Sequence, residues 1–219
     1  MSTPDRAAVD HLLTTTRAVR KRLDLTRPVP RSLVLECIEV ATQAPAGGNV
    51  QRWRWLVVED PTLKQGLAEL YRRAYQPYIE TQKEAVQQVG RTDSSTLNII
   101  DSSTYLADHL EEVPVHVVPC VLDRLPAGTP QGMVAGFYGS ILPAVWSFQL
   151  AARSRGLGSA WTTLHLGYEA EAAELLGIPP TVSQVALLPL AYYTGDDFKP
   201  GTRKPAADVT YWNTWKNKG

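Results

Sequence analysis

The chain has 219 residues, 44% of them hydrophobic and 20% charged, which provides apolar side chains for a sizeable core and excludes wholesale disorder. Lysine plus arginine and aspartate plus glutamate stand at 22 each, so the formal charge is zero and no basic excess points to nucleic acid. Two cysteines, Cys37 and Cys120, cannot make a disulfide framework in a chain this long, and neither has His or Cys partners at metal-ligand spacing. The first ten residues hold three charges and no apolar run, unlike a secretory signal, so the expected compartment is reducing and cytoplasmic.

Taken in order, 4–13 reads as a short helix. A second helix follows Val29-Pro30 and runs to Ala44, with Val34, Cys37, Ile38 and Ala41 on one face. Trp53 to Val58 is aromatic and β-branched and ends at Glu59-Asp60-Pro61, a strand and turn. Pro61 to Gln87 reads as a long polar helix, 88–100 as a loop without periodicity, and Ser102 to Leu110 as a further helix. Val113 to Leu122 is a buried strand interrupted by prolines, and 123–131 is a loop. Val134 to Ala152 runs 19 residues without a charge, long enough to span a bilayer. Its glycines, serines, Pro143 and Gln149 make a poor membrane span, so it is assigned as a helix buried in protein, kinked or broken at Pro143 and closed by Gly156-Leu157-Gly158. A short strand at 159–163, a helix at 169–176 and a strand at 182–194 complete the pattern. Helices alternating with strands indicate one α+β or α/β domain over 1–219. Three large aromatics in the last fifteen residues, Tyr211, Trp212 and Trp215, need a surface to lie on, either on the domain itself or on a partner subunit.

The usual catalytic signatures are missing. None of the four histidines forms HExxH, no serine sits in GxSxG, and neither a dinucleotide nor a P-loop glycine motif is present. His116, within a strand, reads as a core or edge histidine, and the cysteines read as buried and inert. Three features remain. Arg17, Arg20, Lys21 and Arg22 place four cations in six residues; this is a solvated basic turn or an anion site, in which a helical turn would put Arg17 and Arg20 on one face. Ala44-Pro45-Ala46-Gly47-Gly48-Asn49-Val50-Gln51 is a helix end and loop, or a place where backbone closely approaches a flat ligand, with Asn49 and Gln51 as directed hydrogen bonders. Arg203-Lys204-Pro205 is a second cationic point, just before the aromatic tail.

Read in order, TRAVRKR, APAGGNVQRW, RGLGSAWTT and TRKPAADVTYW resemble the motifs of the nitroreductase family of FMN-dependent oxidoreductases, from about residue 10 to the C-terminus. The opening and RSRGLGSAWTTLHL look most like an actinobacterial branch of NAD(P)H nitroreductases. The resemblance implies an α+β fold with a central, mainly antiparallel sheet flanked by helices. It further implies an intertwined homodimer with FMN at the interface and residues 205–219 as a C-terminal extension crossing to the partner subunit.

By the same resemblance, Arg17 and Arg203 hold the FMN phosphate, and Arg20 lies by the flavin pyrimidine edge or the ribityl phosphate. Pro45, Ala46, Gly47 and Asn49 line the flavin from the other subunit. Thr162, Thr163 and Leu164 border its reactive face near N5. Ala18 contributes backbone contact only, since it and Ala46 stand where many members have serine, and Arg52 replaces a proline. No protein catalytic group and no metal are implied, because flavin N5 carries the chemistry. The implied reaction is ping-pong hydride transfer from NADH or NADPH to a nitroaromatic, quinone or similar small-molecule acceptor, with no nucleic acid or membrane partner. The alternatives are another reaction of the superfamily (reductive dehalogenation, flavin fragmentation or dehydrogenation) and a non-catalytic flavin-binding protein. Residues 88–100 and 123–131 are the candidate substrate lids.

Overall fold

Runs rich in β-branched and aromatic residues assemble into a single sheet. In the computed structural model, which describes residues 4–89 and 94–219, the strands are β1 (Trp53–Val58), β2 (Val115–Val121), β3 (Leu157–Ser159), β4 (Ser183–Gln184) and β5 (Leu188–Tyr192). They are joined in the order β1-β2-β5-β3, with β4 also on β2, and each of these pairings is antiparallel. The helices are α1 (Arg6–Thr15), α2 (Arg31–Ala41), α3 (Pro61–Val89), α4 (Ser94–Asp108), α5 (Gln131–Gly139), α6 (Leu142–Ser154) and α7 (Glu169–Leu176). The architecture is therefore α+β with an antiparallel sheet flanked by helices. Residues 17–195 make one compact unit, and residues up to Thr16 with those from Asp196 make another.

β2 is the centre of the larger unit. It pairs on both sides, and all seven of its residues are buried, which is why it is mostly apolar apart from His116. Val115, Val117 and Val121 pack in one cluster with Val34, Cys37 and Ala41 of α2 and with Val145, Phe148 and Ala152 of α6. Pro119 does not break the strand. Its carbonyl accepts from Val185 N (2.9 Å), so its missing N–H faces the β4–β5 side. There the register slips by one: Cys120 opposes Gln184 but Val117 opposes Leu188, leaving three residues against two. This β-bulge is where a ladder tolerates a proline, and it divides the strand expected over 182–194 into β4 and β5.

Two other expectations are corrected. The apolar stretch from Val134 is not one buried helix. Counted from Gln131 to Ser154 it is long and apolar enough to cross a membrane, but the chain breaks at Ser140–Ile141. Pro143 then falls in the first turn of α6, where its missing N–H costs nothing. α6 is buried along one face, whereas no residue of α5 is buried. Part of the loop assigned to 88–100 is helical, because α4 begins at Ser94; residues 90–93 lie outside the described residues.

Two histidines are fully buried. His116, on β2, donates from Nε2 to the Leu110 carbonyl (2.8 Å), and burial pushes its pKa down to about 4. His165, in the 3-10 turn Leu164–Tyr168, is likewise pushed down to about 4 by burial, with Glu169 and Gln184 acting in the opposite direction. Both are neutral in the fold, whereas the unfolded chain protonates them near 6.5. Their contribution is thus whole above pH 6.5 and is lost progressively down to about pH 4. Urea unfolding measured across that range is expected to show falling stability with falling pH. The double variant His116→Gln, His165→Gln is expected to flatten the profile; an equally steep profile in that variant would contradict the assignment.

Candidate functional site

The first of two site regions is the connection from α2 to β1. After Pro45 the chain makes one 3-10 turn, Gly47–Asn49, and reaches β1 through Gln51 and Arg52. Gly48, Asn49 and Gln51 all have left-handed backbone, with φ of +58°, +53° and +53°. Glycine adopts this freely and asparagine tolerates it, but glutamine does so at a cost. The two amides partly satisfy each other, Gln51 Nε2 donating to Asn49 Oδ1 (2.9 Å). The loop is pinned by Ser140, at the break between α5 and α6. Gly47 N–H donates to Ser140 Oγ (3.0 Å), which donates to the Gly136 carbonyl (2.8 Å), while the Ser140 carbonyl accepts from Trp53 Nε1 (2.7 Å). Backbone strain that the surroundings hold in place concentrates at functional sites. Beside the loop opens a cavity of about 330 Å³, walled by Ala46, Gly47, Trp53, Leu125, Met133 and Phe137. Arg52 and Asp123 form an ion pair at its rim. In the sequence Ser140 counted only as one small residue of a buried helix; its anchoring role depends on the break after α5.

The second region lies at the β3 edge. β3 continues in register beyond Ser159, since Ser159 opposes Leu190 and Thr162 opposes Leu187. On its outer side Ala18 bridges Ser159 in parallel, and Val19 N–H donates to the Ser159 carbonyl (2.9 Å). The segment is thus extended at Ala18, and the helical spacing that would place Arg17 and Arg20 on one face does not apply. Gly158 makes the docking possible: a Cβ there would lie 2.9 Å from Val19 Cβ. The cations of this segment have local partners. Arg20 Nη1 donates to Ser102 Oγ (3.4 Å), Lys21 pairs with Asp101, and Arg22 Nε donates to the Thr194 carbonyl (2.6 Å). The structure brings Arg17, Ala18 and Arg20 to the strand that leads into Thr162, Thr163 and Leu164. The Thr162 hydroxyl is spent on the Leu187 carbonyl (2.7 Å), whereas Thr163 is exposed and Leu164 half-buried.

The two regions sit at diagonally opposite corners of the sheet. The 17–20 segment is four strand spacings from β1, about 19 Å. Along β2, the end paired with Trp53 is six residues from the end level with Ser159, about 20 Å. Pro45, Ala46, Gly47 and Asn49 are therefore not brought to Arg17 within one chain.

Arg203 belongs to the smaller unit, where its Nη1 donates to the Thr202 carbonyl (2.9 Å). In that unit His11 pairs with Asp197 (2.5 Å), Tyr211 meets Trp215 edge-on (4.8 Å), and Trp212 and Trp215 are 60% and 80% exposed. Burial pushes the Cys37 and Cys120 thiols up to about 11 and about 12, so both are inert. Among the described residues no group of three or more His, Cys, Asp or Glu could hold a metal.

Comparison with known proteins agrees with this geometry. The family model described as "Nitroreductase family" matches residues 13–192. An NADH dehydrogenase of Thermus thermophilus is 28% identical over 214 residues, covering 89% of this chain and 94% of its own. An iodotyrosine deiodinase of Nematostella vectensis is 24% identical over 196 residues, covering 88% and 70%. A crystal structure of oxidized iodotyrosine deiodinase bound to FMN and 3-iodo-L-tyrosine superposes with a TM-score of 0.69 at 23% identity, covering 93% of this chain and 98% of that one. With an antiparallel sheet carrying the two loop motifs at its corners, and a family match across most of its length, the chain belongs to the nitroreductase family of oxidoreductases.

Proposed function

We propose that this protein is an FMN-dependent oxidoreductase that passes hydride from NADH or NADPH to a small electron-poor acceptor, a nitroaromatic or a quinone, and works as a homodimer. The observation that carries the reading is the loop at 46–51, held in left-handed backbone beside an apolar cavity instead of being packed into the core. The residues present suit a flat anionic mononucleotide. The loop offers small side chains and backbone at one corner, and the 17–20 segment offers guanidinium groups at the other.

The diagonal separation of the corners supports a dimer. Two copies facing each other would bring the 45–49 loop of one to the 17–20 and 162–164 segments of the other, giving two equal sites. The exposed Met133 and Tyr138 of α5 and the exposed Trp212 and Trp215 of the tail supply faces for such an interface.

When bound, FMN supplies the N5 position that takes up hydride and hands the electron pair on. The chain's own residues bind and orient it. Arg17 and Arg203 would neutralise the phosphate, Arg20 would set positive charge by the ribityl phosphate or pyrimidine edge, and Ala18 would approach through backbone. Pro45, Ala46, Gly47 and Asn49 would cover the ring from the second subunit, and Thr163 and Leu164 would border the face where donor and acceptor bind in turn. One face serving both reactants gives ping-pong kinetics, read as parallel double-reciprocal lines. A second reading, reductive dehalogenation of a halogenated aromatic, is favoured by relatives named iodotyrosine deiodinase; release of halide from a halophenol under reducing conditions distinguishes it.

Purified protein is expected to be yellow and to be bleached anaerobically by NADH or NADPH. A chain that stays colourless after incubation with FMN contradicts the reading, and one that binds FMN without being bleached is a flavin-binding protein only. Arg17→Ala and Arg203→Ala are each expected to weaken FMN binding by about 1.5–3 kcal/mol, roughly 10- to 150-fold in Kd, as fluorescence titration would measure. Gly158→Ala is expected to displace Val19 and with it the arginine segment, weakening FMN binding by a similar factor. Adding Val19→Ala, which removes the colliding methyl groups, is expected to recover part of the loss.

A further inference from the structure

The apolar cavity beside the 46–51 loop has a neighbour. A second cavity of about 260 Å³ is walled by Arg124, Tyr138, Leu166, Glu169, Ser183 and Gln184. Leu125 and Phe137 line both cavities, so these two side chains form the partition. The two chambers differ in chemistry. The first is lined mainly by apolar side chains. The second presents a guanidinium, a carboxylate, a phenol, a hydroxyl and an amide.

The root of the partition is fixed from both sides. Asp123 pairs with Arg52, and its carbonyl accepts from Ser183 Oγ (2.8 Å). Arg124 pairs with Glu169 through both terminal nitrogens (2.9 Å each) and donates to the carbonyls of Pro180 (2.9 Å) and Val182 (2.8 Å). Two adjacent residues of opposite charge thus tie the chain to opposite walls, and Leu125 follows directly. Leu125 and Phe137 are both half-buried.

Arg124 and Glu169 neutralise each other, so the second chamber carries little net charge. Gln184 is 5% exposed; its Nε2 donates to the Glu169 carbonyl (3.0 Å) and its Oε1 faces the His165 ring. A polar lining without net charge favours a neutral hydrogen-bonding group over a charged one.

We propose that the acceptor site is two-chambered and that Leu125 and Phe137 select acceptors by length: a flat apolar ring sits in the first chamber, and a neutral hydroxyl- or amide-bearing substituent passes between the two side chains into the second. This rests on the reading of the 46–51 loop as flavin-lining. The partition makes Leu125 a specificity residue, because the contacts of a substituent with a closed or open gap differ between long and short acceptors of identical redox chemistry.

The test compares kcat/KM for menadione and for a menadione carrying a hydroxypropyl chain, in the FMN-loaded full-length protein. Leu125→Ala is expected to raise the long-to-short ratio, and Leu125→Trp to lower it, each on the order of tenfold. The two variants predict opposite changes, so either one that folds tests the proposal. A ratio that moves less than about twofold in FMN-loaded, NAD(P)H-bleachable variants overturns the two-chamber site and leaves the flavin reading standing. A wild-type chain that takes up no FMN overturns both. A dimer structure in which the C-terminal segment of the second copy fills the apolar chamber overturns the chamber assignment alone.

Discussion

The double-sided pairing of β2 is the constraint on which the rest depends. An antiparallel strand paired on both edges and buried on both faces must be built mainly from apolar residues, and Val115–Val121 is, its one histidine being hydrogen-bonded to the Leu110 carbonyl. Its two ends carry the two site regions. One end is paired with Trp53, where the 44–53 loop enters the sheet; the other leads through β5 to β3 and the arginine segment. The bulge opposite Pro119 accommodates the proline without a lost ladder bond, and past it β5 and β3 continue in a register that reaches Thr162.

The two corners are built by different physics. At the β3 edge the site segment is held by backbone pairing and close packing: an absent side chain at Gly158, the buried Val19 and the hydrogen bond from Val19 N–H to the Ser159 carbonyl. At the β1 edge it is held in an unfavourable conformation by one serine with three hydrogen bonds. The first arrangement fixes charged groups in place. The second keeps backbone accessible beside a cavity, and that costs stability which the surrounding packing must offset. The same division applies to polar side chains. The Thr162 hydroxyl and the Lys21 and Arg22 head groups are committed to structure, whereas the neighbouring Thr163 is exposed.

Much of the fold was legible because its signals are local. The period-3.6 face of α2, the β-branched run of β1, the largely apolar β2 and the 169–176 helix each follow from neighbouring residues alone. The site motifs were legible as motifs: the loop at 45–49 and the glycine at 158 stand where close backbone approach or left-handed geometry occurs. Misreadings arose where a local pattern has two tertiary solutions. A charge-free stretch cannot tell one long helix from two with different surroundings, because burial depends on what packs against each half. Likewise 94–100 lacks apolar periodicity, yet it is the start of α4, which packs against α3.

The amino-acid sequence by itself determined the fold class, the family and the candidate residues, because those rest on periodicity and on short motifs whose chemistry is local. Tertiary structure alone decided that the two motif sets occupy opposite corners of one sheet, that Ser140 anchors the left-handed loop, and that Leu125 and Phe137 divide two cavities. Each of these is a relation between residues far apart in the chain. Such relations are set by strand register and helix packing, which the local pattern around either partner does not encode.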